Sequence, residues 1–498
     1  MALTWHESED IVRGVLSKLQ SNIDLLNCDL VCRRWRALQQ PLPQAANLTA
    51  EQAAQQPWLR WLVRNAHRLV SLTLSGCSDS LTCNRQMWQS LSQAHGLQQL
   101  QLNDYKALSS LPPSIVNLTS LRDLRISSSK GNGSINSSSS GSSSSGQPNS
   151  SSSSRQVEQL CGLQELPEGT GALKQLQWLE LQHCSALQSL PEGITGCTAL
   201  TTLILDVAAS DNPAYDPVIT TSRLKHLPAA TCQLPRLQQL SLRGCNALTD
   251  LPDALGALSS LTLLEMEGCH GLKVLPDSIE QLQALRCLHI NGANSLEVLP
   301  EGVGCLGNLT QLSLSYCHHL HKLPESLGQL QYLRVLDIGC HGLVNHLPPS
   351  IGNLPQLQRL TIDCASLNDI PDSISRLTTL TWLTISHCLG LQQLPEGLGN
   401  LQQLRRLVID TVPNVYALPD SIGMLESLEE LHLLNDSEFD GLPKLPQQME
   451  RLTRLTKLQI GTVPGIEHEL PSIPGSIGVL SGLKELHIGQ LHLSAAEQ

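Results

Sequence analysis

The stretch LQQLSLRGCNALTDLPDALGALSS, residues 237–260, is followed at once by LTLLEMEGCHGLKVLPDSIEQLQA, residues 261–284. Both stretches have the same length, start with the pattern LxxLxL, in which Met266 replaces the last leucine of the second, and carry a Leu-Pro pair at the same place, at Leu251 in the first and at Leu275 in the second. Leu240 and Leu242 are two residues apart and therefore share one face of a short strand, whereas Ser241 lies on the other face. The pattern predicts a strand and a turn that are repeated along the chain.

The same unit recurs through most of the chain. From Leu227 to Leu418 the Leu-Pro pairs keep one constant spacing, apart from a single step, at Ile370, that is one residue shorter. A single unit cannot bury its leucines, but stacked units bury them against their neighbours and pair their strands in parallel. A period of about 24 residues is typical of leucine-rich repeats, so we predict an α/β solenoid with parallel strands on its concave face. The sixteen copies of the LxxLxL motif, in which Ile or Met can replace the last leucine, begin at Leu69, Leu97, Leu121, Leu176, Leu200, Leu237, Leu261, Leu285, Leu309, Leu333, Leu357, Leu380, Leu404, Leu428, Leu455 and Leu483.

Two units resemble the leucine-rich repeats of plant disease-resistance proteins and their relatives. They are LPESLGQLQYLRVLDIGC, residues 323–340, and LPPSIGNLPQLQRLTIDC, residues 347–364. The resemblance covers roughly residues 69–493, and we expect the solenoid to occupy residues 69–498. No cap is evident after the last predicted strand, near Leu486–Ile488.

Two insertions interrupt the repeats, and both follow a predicted strand. Residues 127–154 are mostly serine, a composition that cannot form a core, so we expect this insert to be disordered. Residues 208–222 lengthen a second repeat. The simple interpretation is a pair of surface loops on one edge of the solenoid, and the alternative is that phosphorylation of the serines regulates binding.

The first forty residues do not repeat and have a helical pattern. Cys28, Val31, Cys32 and Trp35 follow the spacing of one helical face. The pattern, above all VCRRW at residues 31–35, resembles an F-box, although Thr4 stands where that family usually has proline. The resemblance implies a small all-α domain over residues 1–40 that binds a Skp-type adaptor and, through it, a cullin. The residues that would contact the adaptor are Leu3, Ile11, Val12, Leu16, Leu19, Leu25 and Leu26.

Two short segments separate this F-box-like domain from the repeats. Residues 41–57 are rich in Gln, Ala and Pro and are predicted to be a linker. Residues 58–68 are amphipathic, and we predict a helix that caps the solenoid, because an uncovered first repeat would expose its core.

Bulk composition narrows the classes of function. The formal net charge is −12, which disfavours nucleic acid and anionic membranes as partners, since both require a positive face. No apolar run reaches the roughly 20 residues of a membrane helix, and no signal peptide is evident. We therefore expect a cytoplasmic or nuclear protein, with its 16 cysteines reduced.

Motifs for chemistry are weak. The letters GxGxxG at residues 302–307 fall in the non-strand half of a repeat, which is not the context of a dinucleotide site. Cys340, Cys364 and His387 lie in one column and are an alternative set of zinc ligands, although solvated turn residues are the simpler interpretation. We predict no catalytic residue, no cofactor and no metal.

Cysteine recurs at one place in the repeat, five residues after the second leucine of the motif. There we expect small side chains that fill the core. These residues are Cys77, Cys184, Cys245, Cys269, Cys317 and Cys388.

The solvent face of the strands is the predicted binding surface. One column reads Val335, Arg359, Trp382, Arg406, Glu430 and Lys457 on successive repeats. Trp382 between two arginines predicts cation–π contacts, and Trp and Arg are favoured in binding hot spots. The alternative is that the arginines pair with aspartates and cover the tryptophan. The candidate partner-binding residues are Arg359, Asp363, Trp382, Arg406 and Asp410, with Trp178 and Glu180 as a second group and Glu265, Glu267 and Asp337 as a negative stretch between the two.

Together with the repeats, the resemblance to an F-box implies a non-catalytic substrate-recognition subunit of a cullin–RING ubiquitin ligase. Its F-box-like domain would bind the adaptor and its concave face an unidentified target protein. The alternative is a protein-binding scaffold, or a signalling receptor similar to disease-resistance proteins, with no connection to ubiquitin. A receptor for a small ligand is a third hypothesis.

Overall fold

The computed structural model describes residues 45–49, 69–75, 85–104, 108–127, 161–208, 222–340, 342–435, 442–446, 449–462, 477–478, 480–488 and 491–494. The predicted F-box-like domain, with its adaptor-contacting leucines, and the predicted capping helix over residues 58–68 lie outside these ranges.

The described residues form one sheet of eighteen strands that follow each other in chain order. All neighbouring strands are parallel except the last pair. The predicted solenoid is confirmed, and each of the sixteen LxxLxL motifs contributes one strand, β2 to β17. The strands are β1 Ala45–Thr49, β2 Ser71–Ser75, β3 Gln99–Asn103, β4 Asp123–Ser127, β5 Trp178–Gln182, β6 Thr202–Asp206, β7 Gln239–Arg243, β8 Leu263–Glu267, β9 Cys287–Asn291, β10 Gln311–Ser315, β11 Val335–Gly339, β12 Arg359–Asp363, β13 Trp382–Ser386, β14 Arg406–Asp410, β15 Glu430–Asn435, β16 Lys457–Thr462, β17 Glu485–Ile488 and β18 Leu491–Ser494.

Short 3-10 helices form the opposite side of most repeats, and each starts directly after a proline. The fixed φ of proline suits the start of a helix. The first N–H groups of a helix have no acceptor within it, so the missing N–H of proline costs no hydrogen bond there. The end of each helix is closed by a leucine or cysteine N–H, as where Leu306 donates to the carbonyl of Val303 at 3.2 Å. Among the residues that the structure describes, one α-helix, α1, spans Arg85–Leu91. The 3-10 helices span Pro113–Asn117, Glu168–Ala172, Glu192–Gly196, Ala229–Gln233, Asp253–Ala257, Asp277–Gln281, Glu301–Cys305, Glu325–Gln329, Pro349–Asn353, Asp372–Arg376, Glu396–Asn400 and Asp420–Met424.

A single continuous core runs between the strands and the 3-10 helices. Leu240 and Leu242 are fully buried, as are their equivalents Leu264 and Leu288 in the next two repeats. The alternating side chains of each strand face outward, and we call this outward side of the sheet the strand face. Burying leucine side chains contributes roughly 1.5–3 kcal/mol each, so the stacked leucine columns account for most of the favourable packing.

Both ends of the sheet carry a strand that the sequence motif does not predict. Strand β1 lies within residues 41–57, which were predicted to be a linker, and pairs in parallel with β2. At the other end β18 pairs antiparallel with β17, which corrects the expectation that nothing covers the last repeat. An unpaired edge strand exposes a row of N–H and C=O groups, and these two strands satisfy those groups at each end.

The two insertions leave the sheet undisturbed. Strand β4 pairs directly with β5 although the Ser-rich insert separates them in sequence, and β6 pairs directly with β7 across the second insert. Ser127, the first residue of the predicted Ser-rich insert, is the last residue of β4. Among the described residues, no helix is long and apolar enough to span a bilayer.

Candidate functional site

The column of large side chains predicted on the strand face is present in the structure. Backbone pairing places Arg359 beside Trp382, and Trp382 beside Arg406. Val335 lies next to Arg359, and Glu430 lies next to Arg406. The leucine spacing sets this register, because a slip of one residue would turn every core leucine outward.

The indole of Trp382 is held between two guanidinium groups. The Cζ atom of Arg359 lies 3.7 Å from the ring centroid and that of Arg406 lies 4.3 Å from it. The two arginines come from the strands on either side of β13, so they approach the ring from opposite sides. The indole N–H donates to Oγ1 of Thr384 at 2.9 Å. Cation–π contacts of this kind are worth about 0.5–2 kcal/mol each, and together these contacts fix the ring.

The two arginines differ in their acidic partners. Nη1 of Arg406 lies 3.1 Å from Oε2 of Glu430, which also lies 3.2 Å from Nε2 of the buried His432. Within the described part of the chain, Arg359 forms no ion pair. The alternative had the arginines pair with aspartates and cover the tryptophan. The arginines do cover Trp382, but Arg406 pairs with a glutamate and not with an aspartate.

Asp363 and Asp410 lie at the opposite ends of their strands from the arginines. Asp363 pairs with His387, whose Nδ1 is 3.3 Å from the carboxylate. Asp410 accepts a hydrogen bond from Oγ1 of Thr411 at 3.0 Å. This end of the strand face is acidic, and the end formed by Arg359 and Arg406 is basic.

Trp178 and Glu180 form a second cluster with a cation that the sequence reasoning missed. The indole N–H of Trp178 donates to Oε2 of Glu180 at 3.0 Å, and Gln182 donates to Oε1 of the same carboxylate at 2.5 Å. Arg125, from the neighbouring strand, stacks on Trp178 with its Cζ 4.9 Å from the ring centroid. The signal was available, because Arg125 and Glu180 occupy the same place in successive motifs on either side of the Ser-rich insert.

The Arg125 guanidinium is occupied by carboxylates. It donates to both oxygens of Asp123, at 2.9 and 3.0 Å, and lies 3.6 Å from Oε2 of Glu180. Hydrogen bonding to Asp123 raises the pKa of Arg125. This cluster therefore satisfies its own charges.

Comparison with known proteins identifies the repeats. The profile of a family described as a leucine-rich repeat region matches residues 218–342 and 326–497, which together cover more than half of the chain. The chain belongs to the leucine-rich-repeat family.

Solved structures with TM-scores above 0.5 share this fold. A protein of Leptospira interrogans is 24% identical, with a TM-score of 0.54, and the match covers 85% of this chain and 97% of that one. The TLR13–ssRNA13 complex is 17% identical with a TM-score of 0.53, over 88% of this chain and 53% of that one. An internalin, InlF, of Listeria monocytogenes is 17% identical with a TM-score of 0.44, over 64% and 81%. No curated protein matches the sequence.

A negative stretch of this leucine-rich-repeat face lies between the two tryptophans, as the sequence suggests. Glu267 pairs with Arg243 at 2.9 Å, and Glu265 accepts a hydrogen bond from Ser241 at 2.7 Å. Burial raises the pKa of Glu267, and the nearby Arg243 opposes that shift. Glu265 and Glu267 therefore each have a partner within the sheet.

The recurrent cysteines fill the core of the leucine-rich repeats, as predicted. Cys184, Cys245, Cys269, Cys317 and Cys388 are fully buried, and Cys77 lies outside the described residues. Each of these buried thiols faces a backbone carbonyl, as where Sγ of Cys317 donates to the carbonyl of Ile290 at 3.1 Å. Burial raises the pKa of Cys317 to about 12, which keeps it protonated and unreactive.

The alternative zinc ligands are not gathered into a site. The thiols of Cys340 and Cys364 are buried and donate to the carbonyls of Leu314 and Ile338, whereas His387 contacts Asp363 on the strand face. No group of three His, Cys, Asp or Glu residues suited to a metal occurs among the described residues.

Proposed function

We propose that the chain is a non-catalytic protein-binding scaffold whose strand face holds a partner protein at the stack of Arg359, Trp382 and Arg406. The observation that carries this proposal is the position of Trp382. It projects from the strand face between two cations, where the packing of the leucine core does not require an aromatic side chain. Trp and Arg are among the residue types most enriched in binding hot spots.

The stack is also suited to binding because it is already ordered. Two guanidinium contacts and the hydrogen bond from the indole to Thr384 hold Trp382 in one orientation. A side chain that is fixed before binding loses little conformational entropy when a partner arrives, and this entropy loss otherwise costs about 0.5–1.5 kcal/mol per side chain.

A site-specific crosslinker tests the proposal. A photoactivatable residue is placed at Thr361 on the strand face, next to the stack, and in a control protein at the exposed Gln331 on another surface. We expect a partner to be trapped at Thr361 and not at Gln331, and Trp382→Ala to abolish the trapping while the protein still unfolds cooperatively on heating, at a somewhat lower temperature because the contacts of the indole are lost. Trapping of the same proteins from both positions, or trapping that survives Trp382→Ala, contradicts the proposal.

We further propose that this scaffold serves as the recognition subunit of a cullin–RING ubiquitin ligase, in the cytoplasm or nucleus. Support comes from the sequence of residues 1–40, where VCRRW and the upstream leucines resemble an F-box. In this role the protein breaks no bond, and it raises the effective concentration of its target beside the ligase.

Co-purification with a Skp-type adaptor tests the ligase role separately from binding at the strand face. We expect the full chain to bind the adaptor, and the double change Leu25→Ala and Leu26→Ala to prevent it. Deleting residues 1–40 should have the same effect on the adaptor and none on crosslinking at Thr361. A full chain that fails to bind the adaptor favours the alternative, a scaffold or signalling receptor unconnected with ubiquitin.

A small-ligand receptor is the third hypothesis, and it makes a different prediction. A ligand that binds the folded state raises the unfolding temperature with its concentration. Stabilisation by small molecules in the absence of any protein partner would favour it.

A further inference from the structure

The strand face carries two arginine–tryptophan stacks that differ in one respect. In both, an arginine from the neighbouring strand lies over an indole, and the indole N–H bonds to the residue two positions further along its own strand. In the first stack the guanidinium of Arg125 is neutralised by Asp123 and Glu180. In the second, Arg359 has no acidic partner among the described residues.

The register places no carboxylate directly beside Arg359 in its column. The neighbours of this arginine there are the apolar Val335 on one side and Trp382 on the other. Asp337 lies diagonally across the neighbouring strand, in register with Thr361 and without an ion pair to Arg359 among the described residues. Asp363 is four residues further along the same strand, a separation of roughly 13 Å at the usual rise of a strand. Arg406, the other cation of the stack, is already paired with Glu430 at 3.1 Å.

From this contrast we infer that Arg359 recognises a carboxylate, and that the partner presents an acidic polypeptide segment to the stack. The inference rests on the proposed binding role of the strand face. The Cζ atom of Arg359 lies 3.7 Å from the Trp382 ring centroid, and a guanidinium that stacks on a ring keeps its N–H donors in its own plane, where a partner can reach them. Such a planar fork matches a carboxylate with two parallel hydrogen bonds, which the point charge of lysine cannot reproduce.

One observation favours an acidic protein segment over a nucleic acid. Guanidinium groups approach the Trp382 indole from both sides, so a base cannot stack on it, and base stacking on aromatic rings is a main source of affinity for single strands.

Labelled peptides provide the test with the full chain. Three decapeptides share one Gly-Ser framework and carry four Glu, four Gln or four Lys at the same positions, and binding is followed by fluorescence anisotropy. We expect the Glu peptide to bind more tightly than the others and its affinity to fall with added salt. Arg359→Gln should weaken it by about ten-fold, the loss expected for one charge-assisted pair. Arg359→Lys, which keeps the charge, should restore only part of the affinity.

Arg125→Gln is the matched control, because it removes the arginine of the stack that is already neutralised. It should leave the affinity for the Glu peptide unchanged. The inference is overturned if the Glu peptide fails to bind at millimolar concentration, if the Gln peptide binds equally, or if both arginine variants have the same effect. Tighter binding of a single-stranded oligonucleotide that depends on Arg359 overturns it in favour of nucleic acid.

Crosslinking at Thr361 separates this inference from the proposed function. If Trp382→Ala abolishes trapping of the partner and Arg359→Gln does not, the scaffold role stands and recognition of a carboxylate fails. If neither change affects trapping, the scaffold role fails as well. Thermal unfolding of each variant confirms that it is folded.

Discussion

Gly304 packs so closely against Ser326 of the next repeat that a Cβ atom at position 304 would lie 2.3 Å from the backbone oxygen of that serine. The same approach recurs at Gly256, Gly328 and Gly399, each against the serine of the following repeat. Consecutive 3-10 helices are therefore as close as their backbones allow. This packing gives a structural reason for a glycine within the GxGxxG letters at residues 302–307, which lie on the side of the repeat away from the strand face.

We expect Gly304→Ala to destabilise the protein by about 1–3 kcal/mol, the usual range for an overpacked core. The added methyl group forces two backbones apart, and each repeat rests on its neighbour. Gly307→Ala is the control, since the nearest atom to a Cβ there is Oε1 of Gln283 at 3.8 Å. Urea unfolding followed by circular dichroism measures both. Equal stabilities of the two variants would contradict the close packing at Gly304.

The sequence predicts the strands and their register because the leucines allow only one alignment of neighbouring strands. Each motif supplies three apolar positions, and only one alignment of neighbouring strands buries all of them. The column that contains Arg359, Trp382 and Arg406 follows from that alignment, so the leucine spacing alone is enough to place these candidate residues next to each other.

The partners of individual charges could not be predicted in the same way. The column places Glu430 directly beside Arg406, but it does not reveal that the same carboxylate also lies 3.2 Å from Nε2 of the buried His432, because that contact depends on the conformation of each side chain. Strands β1 and β18 were missed for another reason. They lack the LxxLxL pattern and are recognisable only from the edges of the sheet that they cover.

Burial should make the cysteines of the core resistant to alkylation. The pKa of Cys317 is about 12 because the thiol is buried, so at pH 8 only about one molecule in ten thousand carries the reactive thiolate at this site. Cys305 is exposed. We expect iodoacetamide to label Cys305 in the folded protein and Cys317 only after unfolding in urea, as measured by mass spectrometry of the peptides.

The labelling experiment contains its own control, because both cysteines should react to the same extent in urea. Labelling of Cys317 in the folded protein at the rate of Cys305 would show that the repeat opens readily. In that case the prediction that Cys317 belongs to a stable core would be wrong.

The Ser-rich insert should be dispensable for folding. Strands β4 and β5 pair along Asp123–Ile126 with Trp178–Leu181, so the core continues from one repeat to the next without the insert. Shortening a loop changes its closure entropy only slowly, by about 0.6 kcal/mol for each halving of its length. We expect deletion of residues 131–154 to change the free energy of unfolding by less than about 1 kcal/mol. A loss of cooperative urea unfolding would show that the insert packs on the sheet.

Glu180 should matter for stability rather than for binding. This residue is 8% exposed, and its carboxylate accepts hydrogen bonds from Trp178 and Gln182 while lying 3.6 Å from Arg125. Glu180→Ala leaves the indole N–H and part of the guanidinium without an acceptor, so we expect it to lower the free energy of unfolding by about 1–3 kcal/mol. Glu265→Ala is the control from the same column, because the described hydrogen bond of that carboxylate is the single one from Ser241, and its effect should be smaller. Urea unfolding compares the two, and crosslinking from Thr361 should be unaffected by either. A Glu180→Ala protein that keeps its stability but loses the partner would assign this cluster to the binding surface instead.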